Sequence, residues 1–144
     1  MNDINNRVRE LIARYDTAQP EELCEKMGVT LISQELPESV NGFTVTMYGI
    51  PFIVLNSELN YYAKRLTTAH ELGHIVLHKG TNTLELSLNT GFCVSKYERE
   101  ADCFAALLLM QAELSEFDGM ETVTAETVAR ITHVPKEIVE RAFL

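Results

Sequence analysis

The sequence has few cysteines, no tryptophan and no long apolar run. Its 144 residues contain no tryptophan, and Cys24, Cys93 and Cys103 are odd in number, far apart and without a Cys-x-x-Cys pair. We expect reduced thiols, as in a cytosolic protein. No apolar run approaches the length that spans a bilayer, and residues 1–16 are too polar for a signal peptide. The sequence therefore predicts a cytoplasmic protein without a membrane partner.

Positive charge is also scarce. Twelve Lys and Arg stand against 21 Asp and Glu, which gives a formal net charge of −9. Nucleic-acid binding depends on Lys and Arg, so we expect no direct nucleic-acid partner, whereas a basic protein partner is compatible with this charge. Residues 128–139 have some features of a helix-turn-helix but few basic residues. A DNA-binding regulator is therefore the weakest of the functions considered, and a helical cap is the better interpretation of this region.

The remaining composition is ordinary for a single globular domain, with 46% hydrophobic and 23% charged residues. Helical periodicity and strand-like alternation predict an α+β fold, in which a small three-stranded antiparallel or mixed sheet packs on a central helix. Tyr48-Gly49 is the predicted turn of a hairpin over 42–55. The single domain 1–144 divides into N-terminal helices 1–28, the sheet 29–55, a helix 57–79, a helix 96–112 and a C-terminal helical cap 124–144.

The most informative pattern is His-Glu-x-x-His at residues 70–74. Residues four apart share one face of a helix, so His70 and His74 can present two imidazole nitrogens to one metal ion. Glu71 lies beside them and can reach a water molecule on that ion. Apolar residues recur around the motif at three- and four-residue steps, and Asn56-Ser57 offers an N-cap for the helix. The motif thus predicts a metal site.

His78 continues the four-residue step, but we do not expect it to bind the same ion. It lies about 12 Å from His70 along a helix axis, because each residue rises about 1.5 Å. One ion cannot bridge that distance. We interpret His78 as a C-terminal residue that interacts with the last carbonyls, before Lys79-Gly80 ends the helix.

A third ligand is expected from the helix 96–112, because a catalytic zinc site usually has three protein ligands and an open position. Glu98 and Asp102 lie four residues apart on one helix face, so both can point at the same place. We interpret Glu98 as the ligand and Asp102 as the residue that orients a metal-bound histidine through its other ring nitrogen. Glu100 points elsewhere on the helix and is the reserve candidate.

Two longer runs, with a strand before them, resemble the ImmA/IrrE family of metallo-endopeptidases. The matching segments are Ile53–Ser57, Arg65–His78 and Glu98–Ala106. The resemblance extends over roughly residues 20–115 and implies a minimal zincin-like metalloprotease fold. One departure is Gln111, where family members often have proline.

Carried over by position, the resemblance implies His70, His74 and Glu98 as metal ligands and Glu71 as the catalytic glutamate. It implies a zinc-dependent endopeptidase that cleaves a helix-turn-helix transcriptional repressor of a mobile element, phage or stress regulon. Two histidines and a carboxylate also suit Mn or Fe, so these metals stay open. An alternative function is a non-catalytic metal-binding regulator that inactivates a repressor by holding it.

Three further features bear on substrate binding. An exposed edge strand of the sheet can pair with an extended substrate backbone. Residues 80–96, in which Leu84, Leu86 and Leu88 alternate, form either a plain connector, which we favour, or a flap over the site. Donors to the developing oxyanion are expected among four residues that the sequence does not rank: Tyr61, Tyr62, Tyr97 and His133.

Overall fold

The computed structural model describes residues 2–79 and 92–143. The alternating leucines of the predicted connector or flap lie outside the described residues. The helices are α1 (Asn2–Tyr15), α2 (Pro20–Met27), α3 (Tyr61–Leu77), α4 (Phe92–Ala112), α5 (Ala125–Thr132) and α6 (Lys136–Phe143), with a 3₁₀ turn at Leu114–Phe117. The strands are β1 (Thr30–Gln34), β2 (Gly42–Met47) and β3 (Ile50–Asn56). The predicted α+β class is confirmed.

The three strands form a mixed sheet in the order β1-β3-β2. Strand β1 runs parallel to β3, and β2 runs antiparallel to it as the other arm of a hairpin. Tyr48 and Gly49 form the hairpin turn with φ of +52° and +78°. Two positive φ values in a two-residue loop are typical of a type I′ turn, which matches the twist of the flanking strands. The predicted turn is therefore confirmed.

Helix α3 begins at Tyr61, so the predicted N-cap at Asn56-Ser57 is wrong. Asn60 is the cap, and its side chain accepts a hydrogen bond of 2.9 Å from the Ala63 N–H. Asn56 is instead the buried last residue of β3, where its amide donates to the Leu36, Pro37 and Val40 carbonyls. Both asparagines can cap a helix, and the sheet uses the first to hold the β1–β2 loop.

The core lies where α3 packs on α4, with the sheet and α1 around them. Gly73 allows α3 and α4 to approach closely, because a Cβ at this position would lie 3.0–3.2 Å from three side-chain atoms of Phe104. Phe104 is fully buried. The small residue between the two motif histidines therefore brings α4, and the acidic residues on it, close to α3.

The C-terminal helices α5 and α6 pack against α4. Thr124 caps α5 by accepting a hydrogen bond from the Thr127 N–H. His133 ends α5 with a left-handed φ of +62° and stacks on Tyr62, at 3.6 Å between ring centroids. His133 thus lies in the turn between α5 and α6. Within residues 2–79 and 92–143, no helix is both long enough and apolar enough to cross a bilayer.

Candidate metal centre

The two motif histidines and one glutamate form the centre of the candidate site. His70 and His74 lie on successive turns of α3, and Glu98 reaches them from α4. One Glu98 oxygen lies 3.0 Å from His70 Nε2, and the other lies 2.9 Å from His74 Nε2. The three donor groups lie within 4.8 Å of one another. The tertiary structure therefore brings together the three residues that the sequence predicts as ligands.

Asp102 lies directly behind His70, one helical turn after Glu98. Its carboxylate accepts a hydrogen bond of 2.8 Å from His70 Nδ1. A carboxylate on this nitrogen holds the imidazole ring with Nε2 turned toward Glu98. Arg141, from α6, approaches the other Asp102 oxygen to 3.6 Å. The C-terminal cap thus contacts the residue that orients His70.

Glu71 is buried next to the cluster. Its carboxylate lies 4.0 Å from His70 Nε2, and its side chain is 6% exposed. Helix geometry places it one residue beyond the first histidine, so it borders the cluster without sharing the His70–His74 face. The carboxylate is therefore beside the point at which the three donor groups converge.

The side chains of His78 and Glu100 have different partners from those that the sequence suggests. His78 does take the C-cap position, where its backbone N–H bonds to the His74 carbonyl. Its ring, however, meets His74 Nδ1 at 2.9 Å and Glu100 at 3.1 Å, so both ring nitrogens have partners other than the helix carbonyls. Glu100, the reserve candidate for a ligand, bonds to His78 instead of joining the cluster. The signal available in the sequence was the continued four-residue step from His70 through His74 to His78.

Opposing effects set the protonation of the cluster. Burial by itself lowers the pKa of His70, but its hydrogen bonds to Asp102 and Glu98 outweigh burial and raise the pKa to about 10. Burial alone raises the pKa of Glu98, and the hydrogen bonds from His70 and His74 hold it well below its usual range. Burial lowers the pKa of His78. In the protein without metal, His70 is therefore an imidazolium between two carboxylates at neutral pH.

The four unranked oxyanion candidates fall into two groups. Tyr61, the first residue of α3, packs edge-on against Tyr62, and Tyr62 stacks on His133 at the end of α5. Tyr97 packs against the His78 ring, at 4.5 Å between centroids. The contacts do not single out one of them as the donor.

The donor set fits a zinc ion. Two imidazole nitrogens and one carboxylate oxygen are the protein ligands of a common class of catalytic zinc sites. In agreement with this chemistry, the family model described as an IrrE N-terminal-like domain, of the peptidase M78 family, matches residues 24–143. The chain belongs to this family. The resemblance to ImmA/IrrE metallo-endopeptidases is thereby confirmed.

Two relatives of this IrrE-like chain extend the comparison. An uncharacterized immunity region protein 2 of Bacillus phage phi105 is 35% identical over 136 residues, which cover 94% of this chain and 85% of the phage protein. Metallopeptidase ImmA of Bacillus subtilis (strain 168) is 24% identical over 139 residues, which cover 95% of this chain and 82% of ImmA. Membership in a metallopeptidase family implies a metal ion, and the cluster of His70, His74 and Glu98 is able to hold one.

Proposed function

We propose that the protein is a zinc-dependent endopeptidase that cleaves a helix-turn-helix transcriptional repressor. The observation that carries the proposal is the Glu98 carboxylate, which meets the Nε2 atoms of both motif histidines at 2.9–3.0 Å. His70, His74 and Glu98 would hold the ion, and Asp102 would orient His70. Manganese or iron would use the same donors.

In the proposed hydrolysis, the metal ion and Glu71 would carry out the chemical steps. A zinc ion in such a site acts as a Lewis acid and lowers the pKa of a bound water to about 7. Glu71 accepts the proton of the attacking water, and it then delivers that proton to the leaving amine. Its buried carboxylate, 4.0 Å from His70 Nε2, is within reach of a molecule bound at the cluster. Peptide-bond hydrolysis therefore requires a Glu71 that can change protonation state.

Strand β2 is the better of the two sheet edges for binding substrate. It lies at one edge of the mixed sheet, and its first residue, Gly42, approaches the α3 side chain of Thr67, three residues before His70. Strand β1, at the other edge, packs beside α2 instead. An extended peptide that pairs with β2 would gain main-chain hydrogen bonds close to the metal site.

The repressor assignment is supported by the family and by charge. One relative is named an immunity region protein of a phage, and another is named a metallopeptidase, which suits a protease that acts on a protein of a phage immunity system. The net charge of −9 favours a basic protein partner, and DNA-binding repressors are rich in Lys and Arg.

The first experiment compares wild type with Glu71→Gln and Glu98→Ala. Zinc stoichiometry is measured for each, and each is coexpressed with a panel of helix-turn-helix repressors, including repressors from phage immunity regions. We expect one equivalent of zinc in wild type and in Glu71→Gln, and weak binding in Glu98→Ala. Repressor fragments should appear with wild type alone.

The same experiment separates the alternatives. If Glu71→Gln still relieves repression without cleavage, the protein is a metal-dependent binder and not a protease. If wild type binds no zinc, manganese or iron, the metallopeptidase proposal fails. A proline scan along β2, with the same scan along β1 as its control, tests the binding edge in variants that retain the circular dichroism of wild type. Equal cleavage by both sets would contradict the role of β2.

A further inference from the structure

We propose that His78 and Glu100 are positioning residues of the metal site, which hold His74 in the orientation that binds the ion. The inference rests on the metal site of the proposed function. The observed geometry is a chain of three side chains that leads away from the cluster. His74 Nδ1 lies 2.9 Å from His78 Nδ1, and His78 Nε2 lies 3.1 Å from Glu100 Oε1.

Hydrogen-bond chemistry leaves one arrangement of protons for this chain when His74 Nε2 binds a metal. The proton of His74 must then lie on Nδ1, which donates to His78 Nδ1. His78 accepts on that nitrogen and therefore carries its own proton on Nε2, which donates to the Glu100 carboxylate. Each of the four ring nitrogens then binds the metal, donates one hydrogen bond or accepts one. The chain thus favours the tautomer of His74 that leaves Nε2 free for the metal.

Because His74 is buried, its Nδ1 needs a side-chain partner, and His78 is that partner. His70 does not depend on His78. His70 has Asp102 directly behind it, at 2.8 Å from Nδ1. The side chain of His74 is only 1% exposed and that of His78 only 6%. Water cannot easily replace a partner at that depth, and an unpaired Nδ1–H there would destabilise the bound orientation. His78 therefore carries the interaction outward from buried His74 to the partly exposed carboxylate of Glu100.

The hydrogen bonds from His74 through His78 to Glu100 also connect the two helices that carry the proposed ligands. His74 and His78 lie on α3, and Glu100 lies on α4, two residues after Glu98. The Tyr97 ring, also on α4, packs against His78 at 4.5 Å between centroids and limits its rotation. The ring that accepts the hydrogen bond from His74 is thereby contacted by two residues of α4.

The test measures zinc affinity by competition with a chromogenic chelator for wild type, His78→Leu, His78→Asn and Glu100→Leu. His78→Leu removes the acceptor, and we expect it to weaken zinc binding about 10- to 100-fold, as for other partners of metal-bound histidines. Asn places its side-chain oxygen near the position of Nδ1, so His78→Asn should recover most of the lost affinity. Glu100→Leu should weaken binding less than His78→Leu does, because Glu100 is one step farther from His74.

Val8→Ala is the control for a loss of packing. Val8 is a fully buried residue of the core on α1, so this variant should unfold at a lower temperature and still bind zinc as wild type does. An unchanged zinc affinity in His78→Leu would overturn the inference. So would a His78→Asn affinity as low as that of His78→Leu, because packing and not the hydrogen bond would then explain the loss.

A second measurement needs no variant. Two-bond ¹H–¹⁵N correlation spectra of the zinc-loaded protein report the tautomer of each histidine. We expect His74 with its proton on Nδ1 and His78 with its proton on Nε2, and the reverse tautomer or an imidazolium at His78 would overturn the inference. A wild-type protein that binds no metal would overturn the proposed function together with this inference, whereas tight wild-type binding that His78→Leu leaves unchanged would overturn this inference alone.

Discussion

At the scale of single residues, a proton and a metal ion would compete for His70. Both of its ring nitrogens face carboxylates, at 2.8 Å from Asp102 and 3.0 Å from Glu98. These carboxylates raise the His70 pKa to about 10, against the opposite effect of burial. The same two groups therefore favour a proton in the free protein and a metal ion in the loaded one.

This competition predicts that zinc affinity rises with pH. His70 must lose its proton to bind zinc, and it is protonated at every pH below about 10. Binding thus releases one proton, and the association constant should rise about tenfold per pH unit. Affinity is measured between pH 6.5 and 8.5 by competition with a chelator, and proton release is measured by calorimetry in buffers of different ionisation enthalpy.

The Asp102→Asn variant is the control for the pH dependence. It removes one of the carboxylates that raise the His70 pKa, so the increase of zinc affinity with pH should level off at a lower pH than in wild type. The variant should also bind zinc about 10- to 100-fold more weakly at high pH, because His70 loses the group that orients it. A zinc affinity of wild type that does not change with pH would contradict the protonation of His70.

At the scale of secondary-structure elements, the contact between α3 and α4 sets the distance from the histidines to Glu98. Gly73→Ala would place a methyl group 3.0–3.2 Å from Phe104, including its Cβ, which cannot move without its backbone. Overpacking of this kind costs about 1–3 kcal/mol, whereas alanine gains only about 1 kcal/mol over glycine in helix propensity. We expect a net loss of stability, measured by urea denaturation, together with weaker zinc binding.

The double variant Gly73→Ala with Phe104→Leu tests whether the clash is the cause. Leucine removes the ring carbons that the new methyl group meets, so the two substitutions together should cost less than the sum of their separate effects. Strictly additive effects would show that Gly73 is required for a reason other than its contact with Phe104.

The hairpin between β2 and β3 gives an independent prediction. Tyr48 is fully exposed and has a φ of +52°, a conformation that costs an ordinary L-residue about 1 kcal/mol or more. Asn tolerates it best among the residues with a side chain, so Tyr48→Asn should raise the free energy of unfolding by up to about 1 kcal/mol. Tyr48→Ala keeps the disfavoured conformation and should give no such gain. Equal stability of the two variants by thermal denaturation would contradict the type I′ turn.

At the scale of the whole molecule, a bound ion would join elements that are far apart in the sequence. His70 and His74 come from α3, and Glu98 comes from α4, 24 residues after His74. Arg65 provides a second connection, since its guanidinium bonds to Gln19 before α2 and to Glu113 after α4. A bound ion and the contacts of Arg65 would therefore hold α3 and α4 together.

Removal of metal should consequently lower the thermal stability of the entire domain. Free zinc at about 1,000 times its Kd stabilises the native state by about 4 kcal/mol, which raises Tm by roughly 10 °C in a domain of this size. Chelation should reverse the shift in calorimetry. The Tm of Glu98→Ala should change little on addition of zinc or of chelator. A change in Tm as large as that of wild type would exclude Glu98 as a ligand.

Much of the fold was predictable, because the residues that set each element are close together in the sequence. Pro20 begins α2 and Gly28 follows its last turn at a φ of +77°, the helix ends at which proline and glycine are favoured. The hairpin turn and the helical cap at 124–144 also follow from local turn residues and periodicity. The start of α3 did not, because Asn56 and Asn60 are equally suited to cap a helix and only the burial of Asn56 in the sheet separates them.

The sequence by itself determined that His70 and His74 share one helix face and that Glu98 and Asp102 share another, because both spacings follow from 3.6 residues per turn. Only the tertiary structure decided that these two faces meet, and that His78 and Glu100 continue the network behind His74. The physical reason is that the meeting of α3 and α4 depends on side-chain packing at Gly73 and Phe104, 31 positions apart, and no local periodicity encodes such a contact.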